Sequence, residues 1–247
     1  MNIIKLSAID STSRFLKDLS KKDTLKNFTI AVANVQSQGK GQRNTQWHSE
    51  DGKNLLFTLY VEFQSLPVCL APVLSFLSAL KIREVLDRYL GSKAKIQIKW
   101  PNDIMSYNSK MAGILVENTL NNNGITSSLI GVGLNVNQII FPDFLPNATS
   151  MALVTGMDFD RELLLKEILT ELKLVLTTRY ILENQLEIKQ TYLSYLYKLK
   201  IPTMFKDATG GVFMGKITGV SDVGKLVVEK QDELEYEYEV KEVSFLL

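Results

Sequence analysis

Between residues 72 and 90, apolar residues recur at i, i+3, i+4 and i+7 spacing. Val73, Phe76, Leu77, Leu80, Ile82, Val85, Leu86 and Tyr89 fall on this pattern, which predicts an amphipathic helix. A second helical pattern runs from Arg161 to about Lys200, with a stripe through Leu165, Ile168, Leu169, Leu172 and Leu176 and an expected break at Asn184 and Gln185. Near the start, Asp10-Ser11-Thr12-Ser13 precedes a periodic stretch through Phe15, Leu16 and Leu19, a good helix N-terminus. Continuous apolar runs at 29–34, 55–61 and 129–136 read as buried strands, the last interrupted by Gly131 and Gly133. Shorter runs at 96–98 and 114–116 read as two strands of a hairpin, with residues 106–109 as its turn. Residues 37–51 are polar and, Trp47 apart, nearly free of apolar side chains, so a long loop is expected there.

The texture changes after Pro202. Gly210, Gly211, Gly215, Gly219 and Gly224 punctuate short runs such as Leu226-Val227-Val228. Glu235 to Val240 alternates with period two, one face apolar and the other acidic. Several short strands in so few residues predict a small barrel that docks on a larger unit. The expected fold class is α+β, or mixed α/β, followed by a small all-β domain, with no internal repeat.

Composition narrows the function. At 247 residues the chain holds one large domain and a small one, and its net charge of +1 provides no global field for nucleic acid or an anionic membrane. The N-terminal residues lack a secretory apolar core, and no run approaches membrane-spanning length, so the cytoplasm is the expected compartment. The lone Cys69 rules out an intrachain disulfide framework and disfavours zinc. The lone His48 lies in a polar loop and reads as solvated, without the Gly-x-Ser-x-Gly elbow of a serine hydrolase. Chemistry is therefore expected from Lys, Asp, Asn and backbone amides.

Those residues concentrate in Lys99-Trp100-Pro101-Asn102-Asp103 and in Lys110-Met111-Ala112-Gly113-Ile114-Leu115-Val116-Glu117. Two cations neutralise phosphate oxygens, while a carboxylate and an amide hold Mg²⁺ directly or through water. Upstream, Gln36-Ser37-Gln38-Gly39-Lys40-Gly41-Gln42-Arg43-Asn44-Thr45-Gln46-Trp47 starts where a strand ends. Its glycines permit backbone N–H groups to converge on an anion. It lacks the third glycine of a dinucleotide fingerprint and the Gly-Lys-Ser/Thr of a P-loop.

Taken in order, these segments resemble the signature of biotin protein ligases: a glycine-rich loop ending in Trp47, the Lys99–Asp103 string, the Lys110–Glu117 string, and Gly131-Val132-Gly133-Leu134-Asn135. Asp10-Ser11-Thr12 and Gln36 fall at further family positions, and the C-terminal segment looks like the family's SH3-like β-barrel. The resemblance implies a biotin/lipoate ligase-like catalytic domain at residues 1–197 and an SH3-like domain at 198–247. The catalytic Asp-Ser-Thr element begins by residue 10, so a monofunctional form without an N-terminal DNA-binding domain is expected. Lipoate and octanoate ligases of the same fold lack the Lys99–Asp103 string. A non-catalytic sensor of biotin adenylate is the other alternative, disfavoured by the retained lysines and aspartate.

The resemblance implies ATP-dependent formation of biotinyl-5′-AMP, then transfer of biotin to a lysine on the biotin carboxyl carrier protein domain of a biotin-dependent carboxylase. Neither DNA nor membrane is an expected partner, and a homodimer is left open. Lys110, Lys99 and Asp103 are the implied catalytic residues, with Mg²⁺ at Asp103, directly or through water. Biotin is expected on Ser11, Thr12, Ser13, Gln36, Lys40, Gly41, Gln42, Lys110 and Gly113. ATP and the adenylate are expected on Gly39, Lys40, Gln42, Arg43, Trp47, Lys99, Asn102, Lys110 and Asn135. The loop at 37–51 is expected to order over these ligands. Lys40 stands where the family has arginine and lacks the planar guanidinium fork, so looser retention of the intermediate is expected.

Overall fold

A computed structural model of the chain describes residues 1–42 and 45–246. Its centre is a seven-stranded sheet built from β1 (Asn2–Ile9), β2 (Thr29–Gln36), β5 (Leu55–Leu66), β6 (Ile96–Lys99), β7 (Asp103–Ser106), β8 (Ser109–Asn121) and β9 (Gly124–Leu134). The strand order is β1-β2-β5-β9-β8-β7-β6, and only β1 and β2 run parallel. Period-two alternation divides these strands between two cores. Ile30 and Ile130 face the large core, whereas their neighbours Ala31 and Leu129 join Leu16 and Leu25 on the other face. Helix α1 (Thr12–Lys22) covers that second face, and Ser11 caps it by accepting from the Arg14 N–H.

Helices α2 (Ala71–Leu90), α4 (Arg161–Val175) and α5 (Thr178–Ser194) cover the large-core face; a short α3 (Met151–Thr155) lies between the first two in sequence. The expected helix at 72–90 is therefore present. The stretch from Arg161 to Lys200 is not continuous, and its break lies at Leu176–Thr177 rather than at Asn184. Thr177 is extended and its hydroxyl accepts from the Tyr180 N–H, an N-cap that starts a new helix. Asn184 instead donates back to the Tyr180 carbonyl within α5. The hairpin expected around 96–116 is a three-stranded meander, because Asp103–Ser106 adds β7 between the two anticipated strands. The edge strand β1 was not anticipated from the sequence.

The loop at 37–51 is not structureless. It contains a two-residue ladder, β3 (Gly39–Lys40) on β4 (Gln46–Trp47), closed by the Gly41 N–H on the Thr45 carbonyl at 2.7 Å.

The C-terminal strands are β10 (Pro202–Asp207), β11 (Val212–Val220), β12 (Leu226–Lys230), β13 (Glu235–Tyr238) and β14 (Val243–Phe245). They form an antiparallel sheet of order β13-β12-β11-β10-β14, consistent with the expected SH3-like domain though not closed as a barrel, since its two edge strands share no ladder among the described residues. The short turn at 239–242 joins those edges, and β14 pairs with β10 over only three residues. In β13, Glu235 and Glu237 are exposed while Tyr236 and Tyr238 are half-buried, as the alternation implied. Contacts at Gly224 are among those that fix this sheet to the larger domain. The Trp100 indole N–H donates to the Gly224 carbonyl at 2.9 Å. Gly224 has φ +86°, and a Cβ there would lie 2.8 Å from the Pro72 ring at the start of α2.

Candidate active site

Lys99 ends β6 and Asp103 begins β7, and the two are paired across the turn. Tyr192 of α5 donates its hydroxyl to the Pro101 carbonyl at 3.2 Å, beneath that turn. Burial, with the nearby Asp103 charge, pushes the Tyr192 phenol far above the usual range, so it stays a neutral donor. The Asn102 amide donates to the Ile114 carbonyl, while its own backbone carbonyl accepts from the Ile114 N–H at 3.1 Å. Asn102 thus ties the turn to β8.

A register irregularity between β7 and β8 leaves Met111 as an extra residue and turns Lys110 towards Asp103. Their ammonium and carboxylate meet at 2.7 Å, both half-buried. The Lys110 backbone is gripped by the Asn147 carbonyl and the Thr149 N–H. Lys99 has no such ion pair among the described residues. Burial pulls its pKa below the usual lysine range, with Lys110 adding repulsion and Asp103 opposing the shift. Its ammonium lies 4.9 Å from the ring centroid of Phe245 in β14.

Two cavities, each of about 270 Å³, open on either side of this group, and Gln46, Trp47, Asp103 and Lys110 form their common wall. Trp47 packs on the sheet over Gly113 and Gly133. Gly113 and Gly133 are paired across β8 and β9, and a Cβ at Gly133 would approach the indole to 2.5–2.8 Å. Only a floor without side chains admits the ring there.

The first cavity ends in a hydroxyl cluster. Gln36 Oε1 accepts from the Thr12 N–H at 2.7 Å and from its hydroxyl at 3.0 Å. Thr58 Oγ1 lies 2.8 Å from Thr12 Oγ1 and 3.1 Å from Ser13 Oγ. Ser11, Lys40, Gly41, Gln42, Asn102 and Gly113 complete the part of this lining read from the sequence. The second cavity joins Lys99 and Asn135 to an apolar wall of Phe141, Phe144 and Leu145. Two buried polar atoms here lack partners among the described residues: the Trp47 indole N–H, a donor, and Asn135 Oδ1, an acceptor.

Every residue anticipated for biotin therefore lines the first cavity. Those anticipated for the nucleotide are divided. Trp47, Lys99, Lys110 and Asn135 line the second cavity; Lys40, Gln42 and Asn102 line the first. Gly39 lines neither and instead borders a separate hollow with Arg14, Gln38 and Glu117. Arg43 lies outside the described residues.

Four features escaped the sequence reading. Thr58 is fully buried and had one signal, a lone hydroxyl in the run Leu55-Leu56-Phe57-Thr58-Leu59. His48 is exposed, as expected, yet it lines the second cavity and packs edge-on against Phe144 at 5.0 Å. The apolar wall at 141–145 has no periodicity to reveal it. Val240 and Lys241, from the turn before β14, reach the first cavity across a large sequence separation.

No cluster of three His, Cys, Asp or Glu groups suited to a metal occurs among the described residues. Asp103 alone fits the way Mg²⁺ binds beside phosphates, through one carboxylate with waters and phosphate oxygens completing the shell.

Comparison with known proteins supplies the context for this geometry. Residues 6–135 match the model of the biotin/lipoate A/B protein ligase family. A bifunctional ligase/repressor BirA of Bacillus spizizenii is 32% identical over 238 residues, covering 94% of this chain and 70% of that protein. A biotin–[acetyl-CoA-carboxylase] ligase of Paracoccus denitrificans is 32% identical over 131 residues, covering 53% of each. The structure of a biotin protein ligase from Aquifex aeolicus in complex with biotin and ATP superposes with a TM-score of 0.79 at 25% identity, covering 99% of this chain and 98% of that one.

Proposed function

The chain belongs to the biotin/lipoate A/B protein ligase family, and from that premise we infer that it is an ATP-dependent biotin protein ligase. The observation that carries this reading is the pair of cavities divided by Lys110, Asp103 and Trp47. Biotin occupies the first cavity, its ureido ring against the Thr12–Thr58–Ser13–Gln36 cluster and its carboxylate at Lys110. That ring carries two N–H donors and a carbonyl, which match a cluster of hydroxyls and an amide. An octanoyl or lipoyl chain leaves the same groups unmatched, at about 1–3 kcal/mol for each one buried.

The nucleotide occupies the second cavity, where the orphaned Trp47 N–H and Asn135 Oδ1 offer a donor and an acceptor. In the first step a biotin carboxylate oxygen bonds to the α-phosphorus and the bond to pyrophosphate breaks. Both reactants are anionic, so Lys110 and Lys99 offset their repulsion and stabilise the charge that gathers on the phosphoryl oxygens. Mg²⁺, when bound at Asp103 with ATP, supplies further charge neutralisation to the pyrophosphate leaving group. In the second step a carrier lysine amine attacks the acyl carbon and AMP departs, with Asp103 orienting the amine. The domain boundary that fits this arrangement falls between 197 and 198, where the chain leaves the edge of β6.

The decisive experiment supplies MgATP, a biotin carrier domain and labelled biotin, lipoate or octanoate. Biotin label on the carrier, with one pyrophosphate released for each, is the expected outcome. Preferential transfer of lipoate or octanoate overturns the reading.

Thr58 gives this reading a local test. Thr58→Val keeps the shape of a buried side chain and deletes the hydroxyl shared by Thr12 and Ser13. The KM for biotin is expected to rise roughly tenfold, since losing such a bond costs about 1–3 kcal/mol. The KM for ATP should stay unchanged. Steady-state pyrophosphate release with each substrate varied separates the two.

A further inference from the structure

The nucleotide-side cation is completed by a residue from the C-terminal sheet. Lys99 is half-buried at the end of β6, has no ion pair among the described residues, and meets the Phe245 ring at 4.9 Å. The negative face of an aromatic ring attracts an ammonium, and the attraction strengthens as water is excluded. Phe245 is itself held in place. Its ring packs 5.2 Å from that of Phe205, which is fully buried, and 5.9 Å from that of Tyr197. The adjacent Trp100 is bonded to Gly224 of the same sheet. The C-terminal strands thus hold two consecutive residues of the segment at 99–103.

We propose that Phe245 is a positioning residue for nucleotide binding, holding the Lys99 ammonium over the second cavity where it meets the phosphates. Resting on the ligase reading above, this assigns the C-terminal sheet a direct part in ATP affinity, separate from covering the larger domain.

Phe245→Leu retains an apolar side chain and removes the ring. The expected result in the full-length protein is a KM for MgATP raised about 3–10-fold, with the KM for biotin and Tm little changed. Phe245→Trp, which restores an aromatic face, should return the KM for MgATP towards that of the parent. Val228→Ala perturbs the buried core of the same sheet from β12, separated from β14 by two strands, and should leave the KM for ATP alone. Isothermal titration with α,β-methylene-ATP and Mg²⁺ checks binding apart from turnover.

An unchanged ATP affinity in Phe245→Leu overturns the proposal, as does an equal rise in both KM values with a fall in Tm that Val228→Ala reproduces. Lys99→Ala separates the proposal from its premise. If Lys99→Ala weakens ATP binding and Phe245→Leu does not, the positioning role alone fails. If Lys99→Ala leaves ATP binding intact, the assignment of Lys99 to the phosphates fails with it.

Discussion

Replacing Lys110 by alanine should slow biotinyl-AMP formation by ~10²–10³-fold, the loss typical when one preorganised electrostatic contact to a transition state is removed. The chain should still fold. Lys110 is half-buried, and its side chain's ion pair with Asp103 is partly solvated, a class of interaction worth about 0–1 kcal/mol. The bonds that anchor this position in the structure belong to its backbone, through Asn147 and Thr149, and alanine keeps both. Tm should accordingly fall by no more than about 2–4 °C. Pyrophosphate release and thermal melting, run on the same preparation, test both halves. A variant that adenylates biotin at the parent rate would return Lys110 to a structural role.

Gly133→Ala should release biotinyl-AMP about 30-fold faster, the equivalent of roughly 2 kcal/mol of apolar burial that the displaced Trp47 ring no longer provides. The added methyl would stand 2.5 Å from indole Cε2, well inside van der Waals separation. The strand cannot yield, because Gly133 is paired on both sides, with Leu56 and Gly113. Trp47 belongs to a two-residue ladder in the loop and yields instead. Its emission should shift to longer wavelength, with Trp100 a constant background because it is buried and bonded to Gly224. Stability should change little, since alanine is no worse than glycine in a strand. Parent-like release with unaltered Trp47 emission would remove the ring from the role of cover over the intermediate.

Much of the architecture was legible wherever one physical signal dominated. The 3.6-residue period gave α2 nearly to the residue, and continuous apolar runs marked β2, β5 and β9 because these lie inside the sheet with both faces covered. Legibility failed where local chemistry overrode pattern. The Thr177 hydroxyl began a second helix inside an unbroken apolar stripe, and the Asp103–Ser106 strand was too short to show alternation. The candidate site divides in the same way. Lys99, Asp103 and Lys110 stood out as charges beside apolar runs, and the structure brings them together. Thr58, Phe144, Val240 and Phe245 reach the cavities or Lys99 only through tertiary packing, for which a single sequence has no period.

On the proposed mechanism, the Lys110–Asp103 ion pair, at 2.7 Å, would act as an interlock. While the two are joined, the carboxylate is engaged by an ammonium. An arriving biotin carboxylate or phosphate competes for that ammonium and draws Lys110 away. On the proposed mechanism, the carboxylate that the later transfer step calls on would thereby be released by the substrates of the earlier one.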